Sequence, residues 1–250
     1  MLKGAELSLY YLGFKNVKKS SYTCGWRFFY KMLQNATKCY KSHLKKQFGD
    51  EHKGPNPEKL ADNIHTYCLK HINKENDEEL YRIFFYDCKP LSKKVHYPCT
   101  QKPLDLSKSS TYQERSELHK CLISKSCLAL RLGYLDEDNA RWIIHNKKKE
   151  KKLFKREIKI EEFQDNDFIY YAKQKGVDIK IGLDIATLAL KKLVQKIVLI
   201  SGDSDFVPAS KLARVEGIIF TLDPMGNHIR EDLKEHIDYL TTRLPQFKQQ

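Results

Sequence analysis

Hydrophobic and polar positions follow two different periods along this chain. Short apolar runs bounded by turn residues predict strands at 7–14, 80–87, 196–200 and 218–222. Apolar residues at helical spacing predict helices at 22–48, 57–71, 111–124, 184–193, 206–216 and 229–239, and a further helix that ends at Gly176. Strands that alternate with helices of about ten residues indicate βαβ units and a parallel sheet.

Three segments interrupt this alternation. Residues 88–110 contain three prolines and predict a long polar loop. Residues 127–135 and 141–146 flank a polar DEDNA turn, which predicts a hairpin. Residues 147–159 hold eight basic and two acidic side chains and predict a solvated loop or strand edge. We interpret the whole of 1–250 as one domain with insertions near 88–110 and 136–160.

Charge is distributed unevenly. The net charge is +13, but residues 161–250 carry 12 basic and 14 acidic side chains. The first 160 residues therefore hold the whole basic excess, with 33 basic and 18 acidic side chains. A basic surface indicates a polyanionic partner such as nucleic acid, although a generally lysine-rich surface would give the same total. The chain shows no membrane span and no signal peptide, so we expect a cytoplasmic protein.

Acidic residues follow the predicted strands. Asp87 ends the strand at 80–87, Asp203 and Asp205 follow the strand at 196–200, and Asp223 follows the strand at 218–222. Carboxyl ends of parallel strands meet at one edge of a sheet, where ligands of such sheets bind. One residue of the Asp203/Asp205 pair could cap the following helix, but a cap explains only one of them. Asp223 stands before a proline and is interpreted as a turn residue rather than a ligand.

Several carboxylates at one edge suit hard divalent cations. Mg²⁺ and Mn²⁺ take oxygen ligands, and a pair of such ions can activate water for phosphodiester hydrolysis. A metal-loaded acidic site attracts a phosphate backbone that bare carboxylates would repel. The sequence has no phosphate-binding glycine loop and no nucleophile elbow, so nucleotide-loop enzymes and α/β-hydrolases are poorly supported.

The segments KQKGVDIKIGLDIATLALKK (173–192), IVLISGDSDFVPASKLARVEGI (197–218) and FTLDPMG (220–226) resemble NYN domains of the bacterial LabA-like (DUF88) type. These domains are relatives of the PIN-domain ribonucleases. The likeness continues upstream through YRIFFYDCKPL (81–91), LALRLGYL (128–135) and Trp142 and covers roughly 80–240. It implies a three-layer α/β fold of the PIN-like type, with a central, mainly parallel sheet flanked by helices.

The resemblance also implies a site. Asp178, Asp184, Asp203 and Asp205 fall on the acidic residues of the family and are the predicted catalytic and metal-binding residues. Asp87 falls on the strand-end motif of the family and is a further predicted metal ligand. The implied cofactor is Mg²⁺ or Mn²⁺, and the implied partner is RNA, which we expect to be single-stranded. The sequence leaves open whether the protein forms an oligomer of identical chains.

The N-terminus departs from the family pattern. Family members open with a strand that ends in Asp-Gly-x-Asn, and the Asp is a central metal ligand. The corresponding stretch here is LYYLGFKN (9–16), with Leu12 at the Asp position and Asn16 available for the amide. Either another acid such as Asp87 completes the site, or the site is depleted and the protein binds RNA without cutting it.

The leading hypothesis is a bacterial metal-dependent ribonuclease. The alternatives are a noncatalytic RNA-binding or regulatory module and a metal phosphatase for small substrates. We predict that lysines and arginines of the first 160 residues hold the RNA backbone. Tyr22, Trp26 and Tyr30 are candidates for base stacking, with a place in a helix core as the alternative. The predicted RNA-binding residues are Asn16, Arg27, Lys147, Lys148, Lys151, Lys152, Lys175, Ser201 and Ser204.

Overall fold

A seven-stranded sheet forms the centre of the computed structural model, which describes residues 19–25, 56–201, 205–226 and 228–243. The strand order is β11-β10-β9-β1-β2-β5-β8. Every pairing in this sheet is parallel except that of β5 with β8. The strands are β1 (Lys19–Gly25), β2 (Glu79–Cys88), β5 (Leu128–Leu135), β8 (Gln174–Lys175), β9 (Lys196–Ile200), β10 (Ile219–Asp223) and β11 (Tyr239–Leu240).

Two antiparallel strand pairs stand outside the main sheet. They are β3 (Lys94–His96) with β4 (Pro103–Asp105), and β6 (Arg141–Ile144) with β7 (Phe168–Tyr171). The helices of the described residues are α1 (Pro57–Leu69), α2 (Ser110–Ile123), α3 (Lys147–Phe154), α4 (Val177–Leu190), α5 (Val207–Val215) and α6 (Glu231–Lys234). None of them is long and apolar enough to cross a lipid bilayer.

Helices cover both faces of the sheet because alternate strand residues are apolar on both sides. Phe85 and Val198 pack with α1 and α2 in one buried cluster. Phe84, Tyr86 and Leu199 point the other way and pack with α4 and α5. The expected layered α/β architecture with a mainly parallel sheet is therefore confirmed, and so is the prediction that 80–87 is a strand covered on both faces.

Four predicted elements were wrong near the insertions. Residues 168–171 and 174–175 are strands, and Gly176, with φ of 78°, begins α4 instead of ending a helix. The proposed hairpin does not form, because β5 pairs with β2 and β8 while β6 pairs with β7. The basic run forms α3, which is capped by Asn146 and stabilised by the Lys147–Glu150 ion pair. The 88–110 loop contains β3 and β4.

Predictions at the two ends of the chain also need correction. Residues 22–25 lie in β1, between β2 and β9, and not in a helix, because their backbone pairs with strands on both sides. The last helix is only Glu231–Lys234, since the chain then extends into β11 beside β10. The predicted strand at 7–14 and the rest of the predicted helix at 22–48 lie outside the described residues.

Gly133 allows the main sheet and α4 to approach each other closely. A methyl group at this position would lie 2.6 Å from the Lys175 carbonyl oxygen and 2.6 Å from Val177 Cγ2. Val177 is the first residue of α4, so the missing side chain lets the start of α4 lie directly on β5. Gly182, inside α4, has open space around the same position.

The two glycines give a matched pair of substitutions. Gly133→Ala is expected to lower the free energy of unfolding by about 1–3 kcal/mol, because the new methyl group overlaps backbone. Gly182→Ala is expected to raise it by about 0.5–1 kcal/mol, because alanine restricts the unfolded chain at a helical position. Urea unfolding followed by circular dichroism measures both. Equal effects of the two substitutions would contradict the close approach at Gly133.

Candidate acidic site at the carboxyl edge of the sheet

The carboxyl ends of the parallel strands collect at one edge of the sheet, called here the carboxyl edge. Helix α4 precedes β9, so it runs opposite to the strands and begins at this edge. Helix α5 follows β9 and begins at the same edge, and the two helices pack side by side. Two helix N-termini, each with a partial positive charge, therefore lie at the carboxyl edge.

Asp178 lies in the first turn of α4. Its side chain is exposed, and a carboxylate at this position interacts favourably with the helix dipole. The preceding Gly176 adopts a left-handed conformation and provides no side-chain cap. The chain thus turns sharply from β8 into α4 and presents Asp178 at the carboxyl edge.

Asp184 lies deeper along α4. The Tyr86 hydroxyl donates a hydrogen bond to Asp184 Oδ2 over 2.5 Å, and Arg131 Nε lies 3.3 Å from the same oxygen. The Arg131 guanidinium also stacks over the Phe84 ring at 5.0 Å. Six residues separate Asp184 from Asp178, roughly 9 Å along the helix axis, so α4 alone does not bring the two carboxylates together.

The loop after β9 carries the second pair of predicted ligands. Asp205 is exposed just before α5, whose N-cap is Phe206. Asp203 and Ser204 lie outside the described residues. Ser201 is fully buried, and its N–H donates to the Asp223 carbonyl oxygen over 2.9 Å. The structure therefore places Asp178 and Asp205 at the carboxyl edge and buries Ser201 beneath it.

Asp87 is buried in an ion pair. Arg115 Nε donates to Asp87 Oδ2 over 2.8 Å, the second Arg115 nitrogen contacts Oδ1, and His119 Nε2 lies 2.8 Å from Oδ2. Burial by itself would raise the pKa of Asp87, but the charge of Arg115 and the hydrogen bonds from His119 and Arg115 lower it below its ordinary value. Both carboxylate oxygens of Asp87 are thus occupied by protein groups.

Asp223 sits in a similar buried network at the end of β10. It accepts hydrogen bonds from the Tyr67 hydroxyl and the Met225 amide, both over 2.7 Å, and His71 Nε2 lies 2.9 Å from Oδ2. Burial lowers the pKa of His71, although Asp223 partly opposes this shift. The bond to the Met225 amide confirms the interpretation of Asp223 as a turn residue.

The sequence analysis did not predict the side chains that contact these two buried carboxylates. Tyr67 and His71 are four residues apart near the end of α1, and Arg115 and His119 are four residues apart on α2. Residues at this spacing share one helix face. On α2 the signal available in the sequence was therefore a pair of hydrogen-bond donors at i and i+4, whereas His71 lies in the turn just after α1 and only Tyr67 is in the helix.

Basic candidates lie in two places among the described residues. Lys147, Lys148, Lys151 and Lys152 are exposed on α3. Lys175 ends β8, and its Nζ lies 2.6 Å from Asp136 Oδ2, a hydrogen bond that raises the pKa of Lys175. Asn16, Arg27, Trp26 and Tyr30 lie outside the described residues, as does Leu12, and Tyr22 lies within β1.

Tyr134 is an exposed aromatic residue that the sequence analysis did not single out. It lies one residue before the end of β5, pairs with Lys175 on β8, and leaves 60% of its surface exposed. Its ring borders Gly176, directly before α4 and Asp178. Aromatic rings of this kind can stack on nucleic-acid bases.

The acidic side chains at the carboxyl edge form the candidate donor set for a metal ion. Its members are carboxylates, which suit Mg²⁺ or Mn²⁺. Within 56–201, 205–226 and 228–243, however, no three His, Cys, Asp or Glu side chains are grouped closely enough to hold a metal. Asp178 and Asp205 are two exposed oxygen donors at the carboxyl edge, and two carboxylates alone are fewer than the donors of such a group.

The fold and the site together define an α/β protein of the PIN-like class, with exposed acidic residues where helices begin at the carboxyl edge. The family model for the NYN domain matches residues 93–242, which are 150 of the 250 residues. The chain therefore belongs to the NYN domain family. Comparisons with curated proteins and with solved structures gave no significant match.

Membership of this family carries functional information. An NYN domain indicates a nuclease-type function related to RNA. NYN and PIN-like nucleases are generally dependent on divalent metal ions, and their substrate is RNA. The matched region includes Asp178 and Asp205 together with the whole of α4 and α5.

The buried Asp87 network yields a test of its role. Asp87→Asn and Arg115→Gln are each expected to lower the free energy of unfolding by about 3–5 kcal/mol, because each leaves a buried partner unpaired. The loss should be the same with and without a metal chelator, as measured by urea unfolding. If Asp87 is instead a metal ligand, Mn²⁺ should stabilise the wild-type protein but not Asp87→Asn, and Arg115→Gln should be tolerated.

Proposed function

We propose that the protein is a divalent-metal-dependent ribonuclease of the LabA-like type that hydrolyses RNA at the carboxyl edge. The observation that carries this proposal is the position of Asp178 and Asp205. Both are exposed where two adjacent helices begin, at the edge where parallel sheets bind their ligands. Family membership supplies the substrate class and the general need for a metal.

In this proposal Asp178, Asp205 and Asp203 hold Mg²⁺ or Mn²⁺, and Asp184 supports the same site. The bound cation supplies activation of a water molecule and stabilisation of the leaving oxygen. Tyr86 and Arg131 hold the Asp184 carboxylate in one orientation through their contacts with Oδ2. The N-termini of α4 and α5 favour the negative charge of the RNA phosphate at the carboxyl edge.

The proposed RNA contacts come from the surroundings of this edge. Lys175 and Tyr134 lie beside the start of α4. The Lys175 ammonium group can attract phosphate, and the Tyr134 ring can stack on a base. The lysines of α3 add a basic surface farther along the chain. Ser204, Asn16 and Arg27 remain proposed RNA contacts by their place in the sequence.

A catalytically depleted RNA-binding module is the alternative to cleavage. The central strand β1 ends in Cys24 and Gly25, so it contributes no carboxylate from its last two positions. Asp87, on the neighbouring strand, is engaged by Arg115 and His119. Cleavage in this protein therefore depends on the acids of α4 and of the loop before α5.

The test is cleavage of a labelled single-stranded RNA in Mn²⁺ or Mg²⁺. Asp178→Asn and Asp205→Asn are each expected to reduce the rate about 100-fold or more, since loss of even an outer partner of a metal ligand costs 10–100-fold. Both variants should retain the wild-type unfolding curve, because the two side chains are exposed.

Asp77→Asn provides the matched control. Asp77 is an exposed acid before β2, at the opposite edge of the sheet, and its left-handed backbone suits asparagine equally well. Its cleavage rate should equal that of the wild type. Wild-type protein that binds RNA without metal-dependent cleavage would favour the depleted module, and cleavage retained in both site variants would refute the proposed site.

A further inference from the structure

Two segments outside the main sheet pack together as one body, called here the accessory lobe (residues 89–109 and 136–173). The Trp142 indole N–H donates to the His96 carbonyl oxygen over 2.9 Å, and the Trp142 and Tyr97 rings stack at 5.7 Å. Asp165 accepts hydrogen bonds from the Thr100 hydroxyl and from the Cys99 amide. The two predicted insertions are therefore one structural unit.

The accessory lobe stands on the carboxyl edge. Its first segment leaves the end of β2, and its second leaves the end of the neighbouring strand β5. Lys93 Nζ donates to the Glu137 carbonyl oxygen over 3.3 Å and joins the two segments where they begin. The second segment returns through β8 directly into α4, which carries Asp178. The lobe is thus connected to the proposed cleavage site at its base.

Helix α3 lies at the far end of the β6–β7 hairpin and is fixed there by Lys149. Lys149 Nζ lies 2.6 Å from Asp167 Oδ2 and 3.0 Å from the Glu162 carbonyl oxygen. Asp167 is buried and also accepts hydrogen bonds from Asn146 Nδ2 and the Gln164 amide. Burial opposes the ionisation of Asp167, but these hydrogen bonds, led by that of Lys149, lower its pKa to about 2.

The exposed side of α3 presents three lysines that have no acidic partner among the described residues. Lys148, Lys151 and Lys152 are exposed and spaced three and four residues apart, so they share one side of the helix. Among the described residues, no carboxylate lies within ion-pair distance of their ammonium groups. Lys147 and Lys149, by contrast, are paired with Glu150 and Asp167.

We propose that this lysine face binds the backbone of the RNA strand whose scissile bond lies at the carboxyl edge. The inference rests on the proposed function and deepens it, because it assigns a second contact region to the same substrate. Three exposed lysines within two turns of one helix, with no carboxylate of the described residues at ion-pair distance, favour a polyanion, and phosphodiester backbone is the polyanion that reaches the lobe from the proposed cleavage site. Phe154, 78% exposed beside this face, offers a surface for a base.

The geometry of the hairpin sets a minimum substrate length. Four residue pairs join β6 to β7, which corresponds to roughly 13 Å between the base of the hairpin and α3. A base-stacked nucleic-acid strand advances about 3.4 Å per nucleotide, so roughly four stacked nucleotides cover this distance. The preferred substrate is therefore an RNA longer than about four nucleotides, held at both places.

The test compares two triple variants with the same loss of charge. The test variant is Lys148→Gln/Lys151→Gln/Lys152→Gln. The control variant is Lys59→Gln/Lys70→Gln/Lys191→Gln, whose three lysines are exposed: Lys59 lies in α1, Lys70 directly follows α1, and Lys191 directly follows α4. Binding of fluorescent single-stranded RNAs of three and twenty nucleotides is measured by anisotropy over a range of salt concentrations, in buffer with Ca²⁺, a divalent cation that takes oxygen ligands and can fill the acidic site. Because no cleavage is needed, the result is independent of whether the protein proves to be a nuclease.

Only the α3 variant should lose affinity for the long RNA, by about tenfold or more. Its plot of log affinity against log salt should be less steep by about 2, since three phosphate contacts are lost at about 0.7 each. Affinity for the three-nucleotide RNA should stay unchanged. An equal loss for both RNAs, or no difference between the two triple variants, would overturn the proposal. Unchanged RNA binding with lost binding to anionic lipid vesicles would assign the surface to membranes instead.

Asp167→Asn distinguishes two effects on RNA binding: the position of α3 and the net charge of the lobe. This substitution adds one unit of positive charge and removes the partner of Lys149. If net charge alone governs binding, affinity for the long RNA should rise. If Asp167 is a positioning residue for the lysine face, the affinity should fall while binding of the three-nucleotide RNA and the far-ultraviolet spectrum stay unchanged. A rise in affinity for the long RNA would contradict this role of Asp167.

Discussion

A parallel sheet brings the ends of its strands together, and the acidic residues at those ends must be accommodated at one edge. A buried carboxylate is destabilising unless a partner compensates its charge and satisfies its oxygens. The two helix layers meet this constraint in different ways. On one face, Asp87 is buried and held by two side chains of α2, and Asp223 is buried and held by Tyr67 of α1 and by His71 in the turn that follows α1. On the other face, Asp178 and Asp205 stay exposed where helices begin.

This division separates the acids by function. Asp87 and Asp223 tie α2 and α1 to the ends of β2 and β10, so they fix the helical layer relative to the carboxyl edge. Asp178 and Asp205 keep water-accessible carboxylates beside the N-termini of α4 and α5. A bare cluster of exposed carboxylates repels phosphate, whereas a cation bound to it attracts phosphate. Asp87 and Asp223 are thus committed to holding the fold together, while the exposed Asp178 and Asp205 are the carboxylates to which we assign the proposed cation.

The sequence predicted residues 196–223 well because its signals there are local. Strands at 196–200 and 218–222 are short apolar runs, and α5 begins and ends near the predicted residues. Gly176 was misinterpreted because a left-handed glycine can begin a helix as well as end one. Partners of β5 and β6 depend on contacts far along the chain, which periodicity does not encode.

The candidate site was predictable in part for the same reason. Acids that follow strands could be placed at the carboxyl edge from the topology alone. Whether a given acid is exposed at this edge depends on which side chains of the helices that cover the sheet contact its carboxylate. The sequence alone does not distinguish Asp87 from Asp178. In the structure, Arg115 and His119 bind the Asp87 carboxylate, whereas Asp178 is exposed at the start of α4. Only the packing of α2 against β2 distinguishes them.

The uneven charge of the chain acquires a structural meaning in the accessory lobe. Much of the basic excess of the first 160 residues that the structure describes lies in the run 147–159, which α3 places at the far end of a hairpin. The hairpin length of roughly 13 Å exceeds the screening length of about 8 Å at physiological salt. The lysine face and the acidic edge are therefore separate electrostatic regions, as the two proposed roles require: phosphate binding by the lysines and cation binding by the carboxylates.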